Sequence, residues 1–153
     1  MNYFEGKTLF RMNDDEESDL VNHNEVLGGK ILALYFSASW SPPCCEFSPP
    51  LIAVYQELIE RKMPFEVVYL SCDKNKGEMI SYLQELHVPW LYLPFGDKLI
   101  SDLKEKFNII AVPKLIVLSP SGEVITDMGR REVQDRGVVC FNSWKQASGM
   151  TDR

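Results

Sequence analysis

The chain has 153 residues, 45% of them hydrophobic and 25% charged, with a formal net charge of −6. This fits one domain spanning residues 1–153, with enough apolar material for a core that needs no disulfide staples. An acidic balance without any basic run argues against a nucleic-acid partner, and with no apolar run near 18 residues no membrane partner is expected.

In chain order, Lys7–Arg11 and Asp19–Asn22 read as two short strands forming an N-terminal β-hairpin. The acidic residues Asp14, Asp15, Glu16, Glu17 and Asp19 read as a solvated loop between them. Gly28–Gly29 punctuates the chain, and Ile31–Phe36 is a nearly continuous apolar run, as expected of a central strand covered on both faces. A helix follows from Pro43 or Cys44 to about Lys62. Phe47, Leu51, Val54, Tyr55, Leu58 and Ile59 lie on one face, and a kink is expected at Pro49–Pro50. Phe65–Ser71 is a second buried strand. Gly77–His87 is a helix with Met79, Ile80, Leu83 and Leu86 inward, and Trp90–Pro94 is a short extended segment.

Asp97 caps a further helix to Phe107, whose stripe is Leu99, Ile100, Leu103 and Phe107. Lys114–Leu118 and Glu123–Thr126 are strands joined by the turn Pro120–Gly122. A closing helical region spans Arg130–Ala147, anchored by Val139, Phe141 and Trp144. The pattern is that of an α/β domain with a central mixed β-sheet flanked by helices.

The four cysteines, Cys44, Cys45, Cys72 and Cys140, are too irregularly spaced for a secreted disulfide framework. With no leader pattern at the N-terminus, the expected location is a reducing compartment, cytosol or nucleus. The thiols are then buried small hydrophobes or reactive groups. Cys44 and Cys45 sit where a helix begins. Thiol chemistry favours such a junction, because the helix N-terminus offers unpaired N–H groups and partial positive charge to a thiolate. A second thiol three positions further on can resolve a mixed disulfide.

Phe36-Ser37-Ala38-Ser39-Trp40 followed by Ser41-Pro42-Pro43-Cys44 resembles the FSASWCPPC signature of the tryparedoxin and nucleoredoxin branch of the thioredoxin superfamily. Phe47-Ser48-Pro49, the run from Phe65 to Val68, Leu93-Pro94-Phe95, Ala111-Val112-Pro113, and Gly129-Arg130-Arg131 with Cys140-Phe141 extend the resemblance from about Lys7 to Ala147. It implies a thioredoxin-like fold and a protein-disulfide reductase acting on protein disulfides or thiols, with no cofactor. The position of Ser41 is then that of the attacking cysteine and Cys44 that of the resolving one. Trp40, Pro42, Pro43, Val112 and Pro113 would line the substrate groove, with Pro113 after a cis bond.

Ser41 cannot form a disulfide, so dithiol exchange is expected to be weak or absent. Cys45 replaces the family's usual arginine but points about 100° around the helix from Cys44. Cys72 could pair with Cys44, although a buried small hydrophobe is the simpler reading. Asp73 either assists proton transfer near Cys44 or caps a turn before Lys74. Cys140, Trp90 and Trp144 read as core, whereas Trp40, on the loop, reads as exposed and functional. Lys114 either steers acidic partners or is a solvated strand-end charge. His23, His87 and the cysteines supply metal-ligand types without ligand spacing, so no metal is expected. The alternative to an oxidoreductase is a redox-inactive module that holds a partner protein in the Trp40–Pro113 groove.

Overall fold

The computed structural model describes residues 3–13 and 18–150. The loop expected of the acidic run 14–17 lies outside these residues. Seven strands form one mixed sheet: β1 Leu9–Met12, β2 Ser18–Val21, β3 Ile31–Ser37, β4 Phe65–Ser71, β5 Leu91–Tyr92, β6 Lys114–Leu118 and β7 Val124–Thr126. Their spatial order is β2-β1-β5-β4-β3-β6-β7. β3 pairs parallel with β4 and antiparallel with β6, and β1 pairs antiparallel with both β2 and β5.

The most apolar strands, β3 and β4, occupy the centre because only there are both faces covered. Every residue of β3 and β4 is buried. Alternation along β3 sends Ile31, Ala33 and Tyr35 to one core, and Leu32, Leu34 and Phe36 to the other. The first core is closed by helices α2 (Pro42–Glu60), α3 (Lys76–Leu86), α5 (Gly129–Arg136) and α6 (Cys140–Ala147). The second is closed mainly by α4 (Lys98–Lys106) and by Leu27 of α1 (His23–Leu27). β5 pairs with β4 only at Val68 and Tyr69. Before that pairing begins, the buried Glu66 accepts from Arg11 at 3.1 Å and from the Tyr55 hydroxyl at 2.9 Å, tying β1 and α2 to β4.

Several sequence expectations are corrected. The helix α1 was not anticipated, and Asn22, read as the last residue of a strand, is its N-cap, accepting from Asn24 and Glu25 N–H. Helix α2 runs through Pro49 and Pro50 as one element. These prolines withhold the N–H groups that would bond the carbonyls of Cys45 and Glu46, and both residues face water, which can serve as donor instead. Ile59 is exposed rather than inward, because α2 has turned it past the core-facing stripe. The closing helix is two helices. Gly137, at φ +57° and ψ −142°, stops α5, and a single 3-10 turn at Gly137–Val139 leads into α6. Val139, expected as an anchor, lies on that turn and is exposed, whereas Phe141 and Trp144 are buried.

Candidate functional site

The site forms where the C-terminal ends of β3 and β4 meet the N-terminus of α2 and the loop before β6. The β3–β4 pairing continues one residue further, with Cys72 N–H donating to Ser37 O at 2.8 Å. This extension holds two loops side by side. Asp73 then clamps them. Its Oδ1 accepts from Ser39 N–H and from Ser39 Oγ–H at 2.7 Å, and its Oδ2 accepts from Ser71 Oγ–H at 2.7 Å. Asp73 is buried, and its two oxygens accept from Ser39 and Ser71 rather than from the turn at Lys74.

From the clamped loop the chain enters α2. Ser41 is its N-cap, in extended backbone geometry, without a side-chain cap bond. Ser41 O accepts from Cys45 N–H at 3.1 Å. Pro42 and Pro43 occupy the next two positions and carry no N–H, so of the first three helical residues only Cys44 can donate toward the cap. Ser41 is 5% exposed and Cys44 is wholly buried. Cys45, one residue on, is exposed, and its Sγ–H donates to Ser39 O at 3.4 Å.

Beneath the first turn of α2 lies a buried ladder of hydroxyls. Ser48 Oγ is 2.8 Å from the Tyr35 hydroxyl and 2.9 Å from the Tyr82 hydroxyl. Both Ser48 and Tyr35 also reach the Cys44 carbonyl, at 3.1 and 3.3 Å. Burial pushes the Tyr35 phenol up to about 12 and raises the Tyr82 phenol as well. The ladder thus stays protonated, and it supplies donors to a helix turn whose neighbouring carbonyls face prolines.

Trp40 is 53% exposed, and its indole N–H donates to Cys72 O at 3.3 Å, which fixes the ring over the end of β4. With Cys72, Lys104 and the segment Ile109–Val112 it lines a cleft of about 220 Å³. Ile110 is 92% exposed at the mouth of this cleft. The Val112–Pro113 peptide bond is cis, Pro113 is buried and Val112 half-buried. Pro42 and Pro43 are exposed on the α2 side. Burial raises the Cys72 thiol, and the nearby Lys104 ammonium only partly opposes this.

All four cysteines are free, so no bond joins Cys44 to Cys72 or to Cys45. Cys140 is buried in the core, where desolvation pushes its thiol up to about 12. Trp90 and Trp144 are buried packing residues. Among the described residues no group of three His, Cys, Asp or Glu is placed to hold a metal, and no helix is long and apolar enough to cross a membrane. His23 begins α1 and His87 caps the end of α3 at φ +56°. The sequence reading missed the Ser39–Asp73 clamp, the hydroxyl ladder, Lys104, and the exposed Ile110. Only Ile110 carried a local signal, as an apolar residue three positions before Pro113.

The Thioredoxin-like family matches residues 28–124 of the chain. Nucleoredoxin-like protein 1 of Homo sapiens is 33% identical to it across 98% of this chain and 74% of that protein. Probable nucleoredoxin 1 of Arabidopsis thaliana is 38% identical across 75% of this chain, which amounts to only 20% of that longer protein. Among solved structures, native tryparedoxin I from Crithidia fasciculata superposes with a TM-score of 0.78 at 33% identity, covering 90% of this chain and 91% of that one.

Proposed function

Because the chain belongs to the thioredoxin-like family of oxidoreductases, we propose that it holds an extended segment of a partner protein in the Trp40–Pro113 groove, in the cytosol or nucleus, and performs dithiol exchange weakly or not at all. One arrangement carries this reading. At the N-cap of α2, where a sulfur would be drawn toward ionisation, stands the Ser41 hydroxyl, and the thiol behind it, Cys44, is wholly buried. A serine hydroxyl stays protonated near neutral pH and forms no disulfide. A buried thiol has little thiolate and little access. The remaining thiols do not repair the loss. Cys45 is exposed but lies on another side of the helix, and Cys72 is held protonated by burial.

The holding role is supported by what remains open. Trp40 and Ile110 are exposed apolar side chains on either side of a cleft, beside a cis peptide whose neighbouring backbone can pair with an extended segment. The test is reduction of insulin disulfides with dithiothreitol as electron source. The chain as written should stay near the uncatalysed rate, and Ser41→Cys should exceed it by about two orders of magnitude or more. If Ser41→Cys is also silent, the site has departed from exchange chemistry in more than one sulfur and the holding role stands alone. Turnover by the unaltered chain would overturn this account of Ser41.

A further inference from the structure

A separate cleft, of about 460 Å³, opens between the first turns of α3 and the face of β1, and it shares no lining residue with the cleft at Trp40. It exists because β1 is covered on one face only. Leu9 is fully buried in the second core, whereas Phe10, on the opposite face, is half-buried. The pairing of Phe10 with Leu20 carries this uncovered face on to β2, where Leu20 is 70% exposed. On the other flank β5 ends after Tyr92, and Pro94 has no N–H to extend the ladder.

The lining has a particular chemistry. Phe10 and Tyr92 stack with ring centroids 5.7 Å apart and planes inclined by 29°, and Phe95 adds a third ring to the cleft. Buried Met79 and half-buried Ile80 face them from α3. Flat aromatic faces favour a planar ring, which they meet by offset stacking. Lys76 is the one charged side chain in the lining, is exposed, and has no ion pair among the described residues. The neighbouring carboxylate does not compensate it: Glu78 accepts from Asn75 Nδ2 at 2.8 Å. Size separates the two clefts. Small-molecule sites span about 300–1,000 Å³. The cleft at α3, about 460 Å³, lies within that range, whereas the one at Trp40, about 220 Å³, has room for a side chain only.

We propose that the cleft between α3 and β1 binds a small planar aromatic anion. Its ring system lies against Phe10, Tyr92 and Phe95, and its carboxylate faces the Lys76 ammonium at the mouth. The binding is non-covalent. The site goes beyond the holding role and does not depend on it, since none of its residues belongs to the Trp40–Pro113 groove.

The test is titration of the ¹⁵N-labelled whole chain with 2-naphthoate, followed by amide chemical shifts. Uncharged 2-naphthamide, cationic 2-naphthylmethylamine and the non-planar decalin-2-carboxylate are titrated in parallel. 2-Naphthoate should give saturable shifts centred on Phe10, Met79, Tyr92 and Phe95. It should bind about threefold more tightly than 2-naphthamide, the size expected of an exposed ion pair, and more tightly than decalin-2-carboxylate. Lys76→Gln should erase the preference over the amide, and Lys76→Glu should shift it to the amine; Lys76 is exposed, so both variants should keep the unaltered melting temperature. No saturable shift at these residues, or saturable shifts centred on Trp40 and Ile110 instead, overturns the site. Equal affinity for acid and amide, or an acid preference that survives Lys76→Glu, overturns the anionic class, and equal affinity for decalin-2-carboxylate overturns the aromatic one. Trp40→Ala should leave this titration unchanged, which keeps its outcome distinct from that of the holding role.

Discussion

At the candidate site the atoms at the start of α2 are withdrawn, whereas the contact surface around the groove stands open. Ser41 and Cys44 are both buried, and beneath them the hydroxyls of Tyr35, Ser48 and Tyr82 bond to one another and to the turn above. Around them, Trp40 and Ile110 face solvent on either side of the cleft. Exchange chemistry depends on single atoms, so on the proposed reading a hydroxyl in the attacking position would remove it. Recognition depends on shape and charge spread over many residues, and that substitution leaves it in place. The same fold therefore can lose one activity and keep the other.

The strongest way to break this contrast is to place a sulfur at position 41. Ser41→Cys should raise insulin reduction by about two orders of magnitude. Adding Cys44→Ala should lower that rate, because the mixed disulfide with substrate then has no resolving thiol in the chain and is released only by dithiothreitol. With dithiothreitol removed from the reduced double variant before substrate is added, mass spectrometry should find the substrate retained as that mixed disulfide.

Asp73→Ala acts on the clamp that holds both loops. It removes charge-assisted bonds to Ser39 and Ser71 in a buried setting, and urea denaturation should show a loss of roughly 3 kcal/mol. Stability should also fall with pH on the alkaline side. The Tyr35 phenol ionises near its ordinary 10.0 when unfolded but is held to about 12 in the fold. A raised pKa in the folded state stabilises below the unfolded value and is lost as pH rises through the folded one. Between pH 10 and 12 this group should cost about 1.4 kcal/mol per pH unit, and Tyr35→Phe should flatten the slope by that amount. The smallest effect on stability is expected at the open wall. Trp40→Ala should shift the melting temperature little, since its ring is half exposed, while weakening peptide capture by about tenfold. An equal loss of stability and binding would show that the two sides are not separable.

Much of the scaffold could be read from the chain. β3 and β4 announced themselves as predominantly apolar runs, and Asp97 as the cap of α4, because burial on both faces and a short acceptor before a helix leave local marks. Helix α1 left too weak a mark: five residues carry little more than one turn of periodicity, and only the Asn22 cap hinted at it. The break between α5 and α6 was carried by Gly137, whose positive φ sequence patterning does not display among other helix-compatible residues. The motif around Trp40–Cys44 gave the location of the site. Its surroundings were less legible, since Lys104, Ile110, Val112 and Cys72 come from separated segments and meet only in the fold.

The sequence by itself determined the layered α/β architecture, the two central strands and a serine at position 41, all of which are properties of residue type and local order. Tertiary structure alone decided that Cys44 is sealed, that both oxygens of Asp73 are occupied, and that the cysteines remain apart. Those outcomes depend on which distant segments pack together and on which polar atoms find partners once water is excluded.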